Sequence, residues 1–496
     1  MENRLLIGWA EESITPDKKI KLAGQFFERI SEYVETPITV TAMAVESGAE
    51  QMVICSCDLV SIGDNLVRLV RDNLSGKVDG LNVNKIIINA THTHTAMVYD
   101  RKGKASSGSS LDVLKRYLPE DKAYVEKVSS DDIMNPQEAL AFLTEKISLA
   151  IKNAWESRKT AYYANEFGRA AVGMCRRVVY DDKTAKMWGD TNSANFDELE
   201  GGNDSGIELL YVFDENKKLT GVVANVACPS QVVEHRSFIS SDYWGKVRIL
   251  LREKFGEDLF VLGLCSAAGD QCPRDMIRWV NPETHIDDPN IKRENYIERN
   301  ADPSMFDIKG TWKVGKRIAN EIINVYDDAI QNLCNEAELM HKVTTIDMPI
   351  RRVTITEYNE AVKVIEDFVK NADKDNFDFA DNAGMHIFAG TIARFEYQQN
   401  HDICPIEVHV VRFGDVAFTT NPFELFLNYG NQIRARSKAK QTFVIQLACG
   451  SHSYLPTKRA EEGSHYSAYV SSGITGHQGG ELLVRKTVQE INQMWK

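Results

Sequence analysis

Hydrophobic and polar positions follow two spacings along this chain, and each predicts one kind of element. Nearly continuous apolar runs predict buried strands over Gln51–Asp58, Lys85–Thr91, Ile207–Phe213, Leu219–Cys228 and Asp258–Cys265. Two more follow over Val416–Thr420 and Thr442–Cys449. Spacings of three and four predict helices between them. One covers Gly63–Leu74. Another opens at Ser240-Ser241-Asp242, carries Tyr243, Val247, Leu250 and Leu251 on one face, and stops at Gly256. A third starts at Asn421-Pro422, and a closing helix is striped by Val484, Val488, Ile491 and Trp495. This alternation predicts an α/β layered sandwich with a mixed β-sheet and flanking helices, its active site at the carboxyl ends of strands. Three long polar stretches interrupt it: Tyr99–Pro136, Gly189–Gly206 and Arg274–Gly310. Loops of that length usually cover a site or move.

Composition narrows the class. At 43% hydrophobic and 26% charged residues, the 496-residue chain is an ordinary globular protein rather than a disordered or fibrous one. Its net charge of −13 disfavours nucleic acid and anionic membrane surfaces as general partners and says nothing of what a local pocket binds; the expected partner is a small-molecule substrate. No window approaches the ~18 apolar residues that a membrane span needs. The apolar stretch at Leu5–Ala10 is too short for a signal peptide. Nine cysteines are present, without a Cys-x-x-Cys pair, and Cys55, Cys57, Cys228, Cys265 and Cys449 sit in apolar runs. They read as reduced thiols, and a cytoplasmic location is expected.

Candidate chemistry collects where strands end. Thr91-His92-Thr93-His94-Thr95 follows the Ile86-Ile87-Ile88 strand, and in extended chain positions i and i+2 share a face, so both imidazoles can converge on a metal or a proton. Two histidines bonded to loop backbone are the plainer alternative. Other strands release Glu234-His235, Gly269-Asp270, Asn421-Pro422-Phe423-Glu424 and His452-Ser453-Tyr454. Glu424, three residues after Asn421, also fits a capping-box-like helix start, and Asp270 an Asx turn. Gly310-Thr311-Trp312-Lys313-Val314-Gly315-Lys316-Arg317 nearly matches a phosphate loop, but Arg317 replaces the magnesium-binding hydroxyl and no strand precedes it. There is no Gly-x-Ser-x-Gly and no His-Glu-x-x-His motif.

Together these residues resemble the catalytic domain of the neutral/alkaline non-lysosomal ceramidase family. The likeness runs in order through Gly8–Pro16, Cys57-Asp58, Thr91-His92-Thr93-His94, Ser240-Ser241-Asp242, Gly269-Asp270, Pro422-Phe423-Glu424, Tyr454-Leu455-Pro456-Thr457 and Tyr466. It implies one catalytic domain over residues 1–496, without the family's C-terminal β-sandwich. It further implies a zinc ion held by His92, a second histidine, Glu424 and Tyr454. Pro229 stands where that second histidine falls, and His235 is the nearest replacement. His94 and Arg176 are implied as catalytic and substrate-binding residues, Asp270 as catalytic, and Cys272, in place of the family's serine, as a substrate contact. With neither an export signal nor a membrane-docking stretch, the expectation is a zinc-dependent hydrolase of a small polar amide or ester, carbohydrate-derived substrates included, rather than of membrane ceramide. The alternative is a metal-poor relative that binds a ligand, or works by acid–base chemistry through His94, His235 and Asp270.

Overall fold

The computed structural model describes residues 4–101, 110–126, 132–277, 279–280, 300–301 and 305–495. Most of the stretch Arg274–Gly310 therefore lies outside the described residues. The first sheet is built, in chain order, from β1 (Leu5–Ser13), β2 (Thr39–Ser47), β3 (Glu50–Cys57), β4 (Ile86–Ala90), β5 (Lys159–Arg169), β6 (Gly206–Asp214), β7 (Leu219–Val226) and β8 (Phe260–Cys265). Helices α1 (Asp64–Leu74), α2 (Pro136–Glu156), α3 (Asp242–Phe255) and α4 (Asp307–Asn324) are threaded between and after these strands. The strand order is β8-β7-β6-β5-β1-β2-β3-β4, with β3–β4 and β7–β8 parallel and the other pairs antiparallel.

The second sheet takes β9 (Leu339–Pro349), β10 (Ile403–Phe413), β11 (Val416–Thr420) and, beyond the two-residue strand β12 (Glu424–Leu425), β13 (Gln441–Ile445). Helices α5 (Ile355–Asn371), α6 (Phe379–Tyr397) and α7 (Leu427–Arg436) lie between its strands, and the two-residue β14 (Tyr454–Leu455) and α8 (His477–Met494) follow. The order is β9-β10-β11-β13, with β11–β13 parallel.

Alternation of side chains explains the layers. Ile7, Met43, Ile87 and Leu262 face Val411, Phe413, Phe418 and Phe443, so the two sheets share one apolar interior. The opposite faces are covered by helices: Ile86 and Ile88 pack under α1 and α2, Leu209 and Val222 under α3 and α4, and Val408 and Val444 under α7 and α8. The result is a helix–sheet–sheet–helix sandwich, the mixed α/β class expected. Among the described residues, no helix is long and apolar enough to cross a membrane.

Two expectations change, and a reading already set aside from the sequence stays so. The Asn421-Pro422 segment does not start a helix: Glu424 opens β12, which pairs in parallel with β14, and α7 begins only at Leu427. Asn421 instead accepts a short-range bond from the Phe423 amide (3.2 Å). The stretch Tyr99–Pro136 is no bare loop. It carries a helix, Ser110–Tyr117, whose Val113 and Leu114 pack with Ile365 of α5 and Ile392 of α6. Gly310–Arg317 lies inside α4, which removes the phosphate-loop reading altogether.

Candidate active site

Parallel pairs in both sheets bring strand ends to one edge, and backbone bonds tie those ends together. The Ala90 amide donates to Leu447 (3.2 Å), Gln446 to Cys265 (3.0 Å) and Cys449 to Ile88 (2.8 Å). At the end of β4 the chain leaves extended geometry, because His92 sits at φ +67°, a left-handed conformation that a non-glycine residue holds only where its surroundings fix it. The two imidazoles meet through this turn rather than through the pleat of a strand. Their centroids are 4.8 Å apart, edge to face, and their Nε2 atoms 3.5 Å apart.

Each ring is oriented from behind. His92 Nδ1 lies 2.6 Å from the Val60 carbonyl, which can only accept, so Nδ1 carries a proton and Nε2 is the nitrogen turned into the site. Glu424 Oε2 lies 3.3 Å from that Nε2. His94 Nδ1 lies 2.9 Å from Glu234 Oε2, which orients the second ring in the same way. Burial lowers the pKa of His94 against the pull of Glu234, so the ring is neutral near pH 7. For Glu424, burial would raise the pKa, but His92, Arg176 and the Tyr454 hydroxyl outweigh it and keep the carboxylate ionised. Gly24 is required beside His94: its φ is +96°, and a Cβ there would come within 2.5 Å of the imidazole.

Arg176 anchors the other wall. Its guanidinium donates to the Gly269 carbonyl (2.9 Å), to Gln231 (3.3 Å) and to the Tyr454 hydroxyl (3.3 Å). Tyr454 reaches the site because β14 pairs with β12 residue for residue, Glu424 opposite Tyr454. Tyr466 packs edge-on against Tyr454 at 5.5 Å, its own pKa pushed up to about 12 by burial. Two adjoining cavities of about 600 Å³ each share His94, Tyr454, Tyr466 and Phe26 as lining; Arg176, Glu234 and Trp188 line one, His92 and Glu424 the other.

His92, His94, Arg176, Glu424 and Tyr454 are thus brought together, whereas His235 and Asp270 are not, and Cys272 lies close to Arg176 and Glu234 without lining either cavity. The His235 ring stacks on Phe306 (4.6 Å) and faces Asp307 at 3.8 Å, and it lines neither cavity. Asp270 accepts from the Leu427 amide (2.8 Å), so it holds the start of α7 and lines a different cavity beside Glu200. The Cys272 thiol is buried against the Arg274 carbonyl, its pKa pushed up to about 12 by desolvation. Pro229 supplies no ligand where a histidine was expected. The segment after it braces the histidine turn instead: the His94 amide donates to the Ser230 carbonyl (3.2 Å), and the Ser230 hydroxyl to Thr91 (2.9 Å). Glu234, beside the expected His235, is the residue that sequence reasoning passed over. All nine cysteines are unpaired, and only Cys334 is exposed.

The donors present fit a zinc ion in part. His92 Nε2, the Glu424 carboxylate and the Tyr454 phenol are nitrogen and oxygen donors of the right kind, and 3.3 Å between His92 and Glu424 is an ordinary ligand-to-ligand separation around an ion with bonds of ~2.1 Å. The second histidine of the expected set is missing from this arrangement.

No protein-family model matches the sequence, and neither does any curated protein. Among solved structures, neutral ceramidase from Pseudomonas aeruginosa is similar over 99% of this chain and 75% of its own, with a TM-score of 0.66 and 15% identity. A ceramidase complexed with C2 is similar over 98% of this chain and 74% of its own, with a TM-score of 0.66 and 14% identity. What is shared at this identity is the fold, with the whole sandwich in common.

Proposed function

We propose that this chain is a metal-dependent hydrolase that cleaves an amide or ester bond in a small polar substrate. The observation that carries the reading is the convergence of His92, Glu424, Tyr454, His94 and Arg176 on the floor of the paired cavities. His92, Glu424 and Tyr454 would hold the ion, which when bound supplies Lewis acidity toward the scissile carbonyl and toward water.

The chain's own groups account for the remaining work. His94, neutral and held through Nδ1 by Glu234, has its Nε2 available to take a proton from the attacking water and return it to the leaving nitrogen or oxygen. Arg176 keeps a fixed positive charge beside Tyr454, where a substrate carbonyl gains negative charge as it is attacked. Burial of the floor removes competing water and strengthens both effects.

The cavity walls support a polar substrate rather than a long acyl chain. Aromatic faces at Trp188, Tyr180 and Tyr469 alternate with Gln25, Gln231 and Asp190. That mixture suits a ring bearing hydroxyl groups, such as an N-acylated or O-acylated sugar, which stacks on one face and hydrogen-bonds at its edge.

The displacement of His235 favours a second reading, a binding protein without a catalytic ion. Its acid–base variant loses support, because His94, His235 and Asp270 face three different surroundings. Metal analysis of wild-type protein beside His92→Ala, with hydrolysis assays on N-acyl and O-acyl sugars and on long-chain ceramide, separates the readings. The hydrolase reading expects a bound metal reduced by one equivalent in the variant, and turnover of polar substrates that falls by more than the ~100-fold typical of removing a group that only orients a ligand. Equal metal content in the two proteins would overturn the ion's placement, and efficient cleavage of ceramide alone would overturn the substrate class.

A further inference from the structure

A second buried cluster lies across the 446–453 loop from the first. It joins α1, β9, β10 and the loop itself, and borders a separate cavity of about 640 Å³ lined by Arg71, Glu407, Cys449 and His452, none of which lines the cavities of the candidate active site. Glu407 Oε1, His409 Nε2 and Cys449 Sγ all lie within 4.8 Å of one another.

Hydrogen-bond accounting shows how this cluster is wired. His341 Nδ1 lies 3.1 Å from the Gln51 carbonyl and so carries a proton. With both rings neutral, His341 Nε2 accepts from His409 Nδ1 at 2.8 Å. His409 Nε2 then presents a lone pair to Glu407 Oε1 at 2.8 Å and to the Cys449 sulfur at 3.6 Å. Two acceptors 2.8 Å apart need a proton or a cation between them, and Arg71 Nη2, 2.7 Å from the oxygen and 3.5 Å from the nitrogen, is the cation already beside them. The imidazole is oriented as metal-ligating histidines are, with its other nitrogen donating to a buried partner that is itself anchored.

The nitrogen–sulfur distance accommodates an ion as it stands. A tetrahedral zinc with bonds of ~2.1 Å to nitrogen and ~2.3 Å to sulfur separates those two ligands by about 3.6 Å; the separation here is 3.6 Å. The 2.8 Å between nitrogen and oxygen is tighter than the ~3.3 Å of a regular tetrahedron, so the carboxylate would open slightly on binding. Arg71 donates to both Glu407 oxygens (3.0 and 2.7 Å), and its Nη2 also lies 3.5 Å from His409 Nε2 and 3.9 Å from the sulfur, so an ion held by all three donors would push this guanidinium aside. Binding a divalent ion with release of two protons, one from the thiol and one shared by His409 and Glu407, leaves the charge of the cluster unchanged. Glu407 and Cys449 border the cavity, which gives the ion an entry path and room for a water as fourth ligand.

We propose that Glu407, His409 and Cys449 form a zinc site distinct from the His92 centre, and that it pins the loop that delivers Tyr454. Leu447, Cys449 and Ser453 all have left-handed backbone conformations, at φ +53°, +55° and +59°. A loop with that much strain persists only where its surroundings hold it, and a bond to Cys449 would hold it at its middle. The site stands independently of the hydrolase reading.

Cobalt(II) loading of the metal-stripped full-length chain tests it, because a thiolate ligand gives a near-ultraviolet charge-transfer band that nitrogen and oxygen ligands do not. The expected result is such a band in wild-type protein and in His92→Ala, its loss in Cys449→Ser, and at least a tenfold weaker cobalt affinity in Glu407→Gln. Circular dichroism of each variant checks folding. No band in folded wild-type protein, or unchanged cobalt affinity in folded Glu407→Gln, would overturn the site. So would a band that survives in Cys449→Ser.

Discussion

Two clusters in this molecule use nearly the same residues to different ends. Each sets a buried imidazole against a glutamate, with an arginine close by. Around Glu407, the arginine is spent on the carboxylate: Arg71 bonds both oxygens, and with His409 it holds the group well below the usual carboxylate range although burial pulls the other way. Around Glu424, the arginine is spent elsewhere. Arg176 donates to Gly269, Gln231 and Tyr454 and leaves the carboxylate facing His92 and the cavity. Where the guanidinium is tied, more than which residues are present, separates a carboxylate braced by charge from one left facing the substrate cavity.

The comparison is broken most directly at Glu234, the carboxylate that gives His94 its orientation. Glu234→Gln keeps the shape and removes the charge, and a loss of turnover of about 10–100-fold is expected, as for other carboxylates behind a histidine. Because Glu234 raises the pKa of His94 against burial, the acidic limb of the kcat/KM profile should move to lower pH in the variant, with metal content unchanged. A profile that only scales down, with no shift of its limb, would make Glu234 a packing residue.

Arg71→Met sharpens the other side. It leaves Glu407 without its two charged bonds in a partly buried site, which should cost about 1–3 kcal/mol, read as a lower urea midpoint at unchanged m-value. An unchanged midpoint would mean that water already satisfies Glu407.

Much of this arrangement was legible in the chain before its fold. The isoleucine run and the acid-rich ends of later strands mark where a sheet stops and chemistry can begin, because such strands are buried on both faces and only their ends meet water. His92 and His94 carry their own signal. Glu424 was legible as a candidate ligand, but the element that carries it was not: it opens β12 rather than a helix, because its partners, Ser453 and Tyr454, are about thirty residues away in sequence and only β12–β14 pairing joins them. The choice between Glu234 and His235 was beyond spacing. The two are neighbours in a turn, and which one faces inward depends on backbone angles that no periodicity records. Glu407 and His409 did leave a trace, an alternating Ile406-Glu407-Val408-His409-Val410 pattern with polar groups two apart, but His341 joins them only through the antiparallel β9–β10 pair.

A third histidine sets the smallest expected effect, and its sign follows from its bond. His465 borders the aromatic cavity, and its Nδ1 accepts from the Met187 amide at 3.1 Å, a bond that only the neutral ring can make. Burial, with Arg177 and Lys186 nearby, lowers its pKa to about 4, against ~6.5 in an unfolded chain. The folded form therefore takes up this proton later than the unfolded form does. The stability it contributes is complete above about pH 6.5 and is lost as pH falls toward 4. Since the ring is partly exposed, the loss should be discounted to about 1 kcal/mol. His465→Gln, whose amide oxygen can accept the same bond without titrating, should flatten the decline in melting temperature between pH 6.5 and 4. If the variant and the wild type decline in parallel, the cavity wall does not depend on the charge state of His465, and the acid sensitivity must be sought among the other buried histidines.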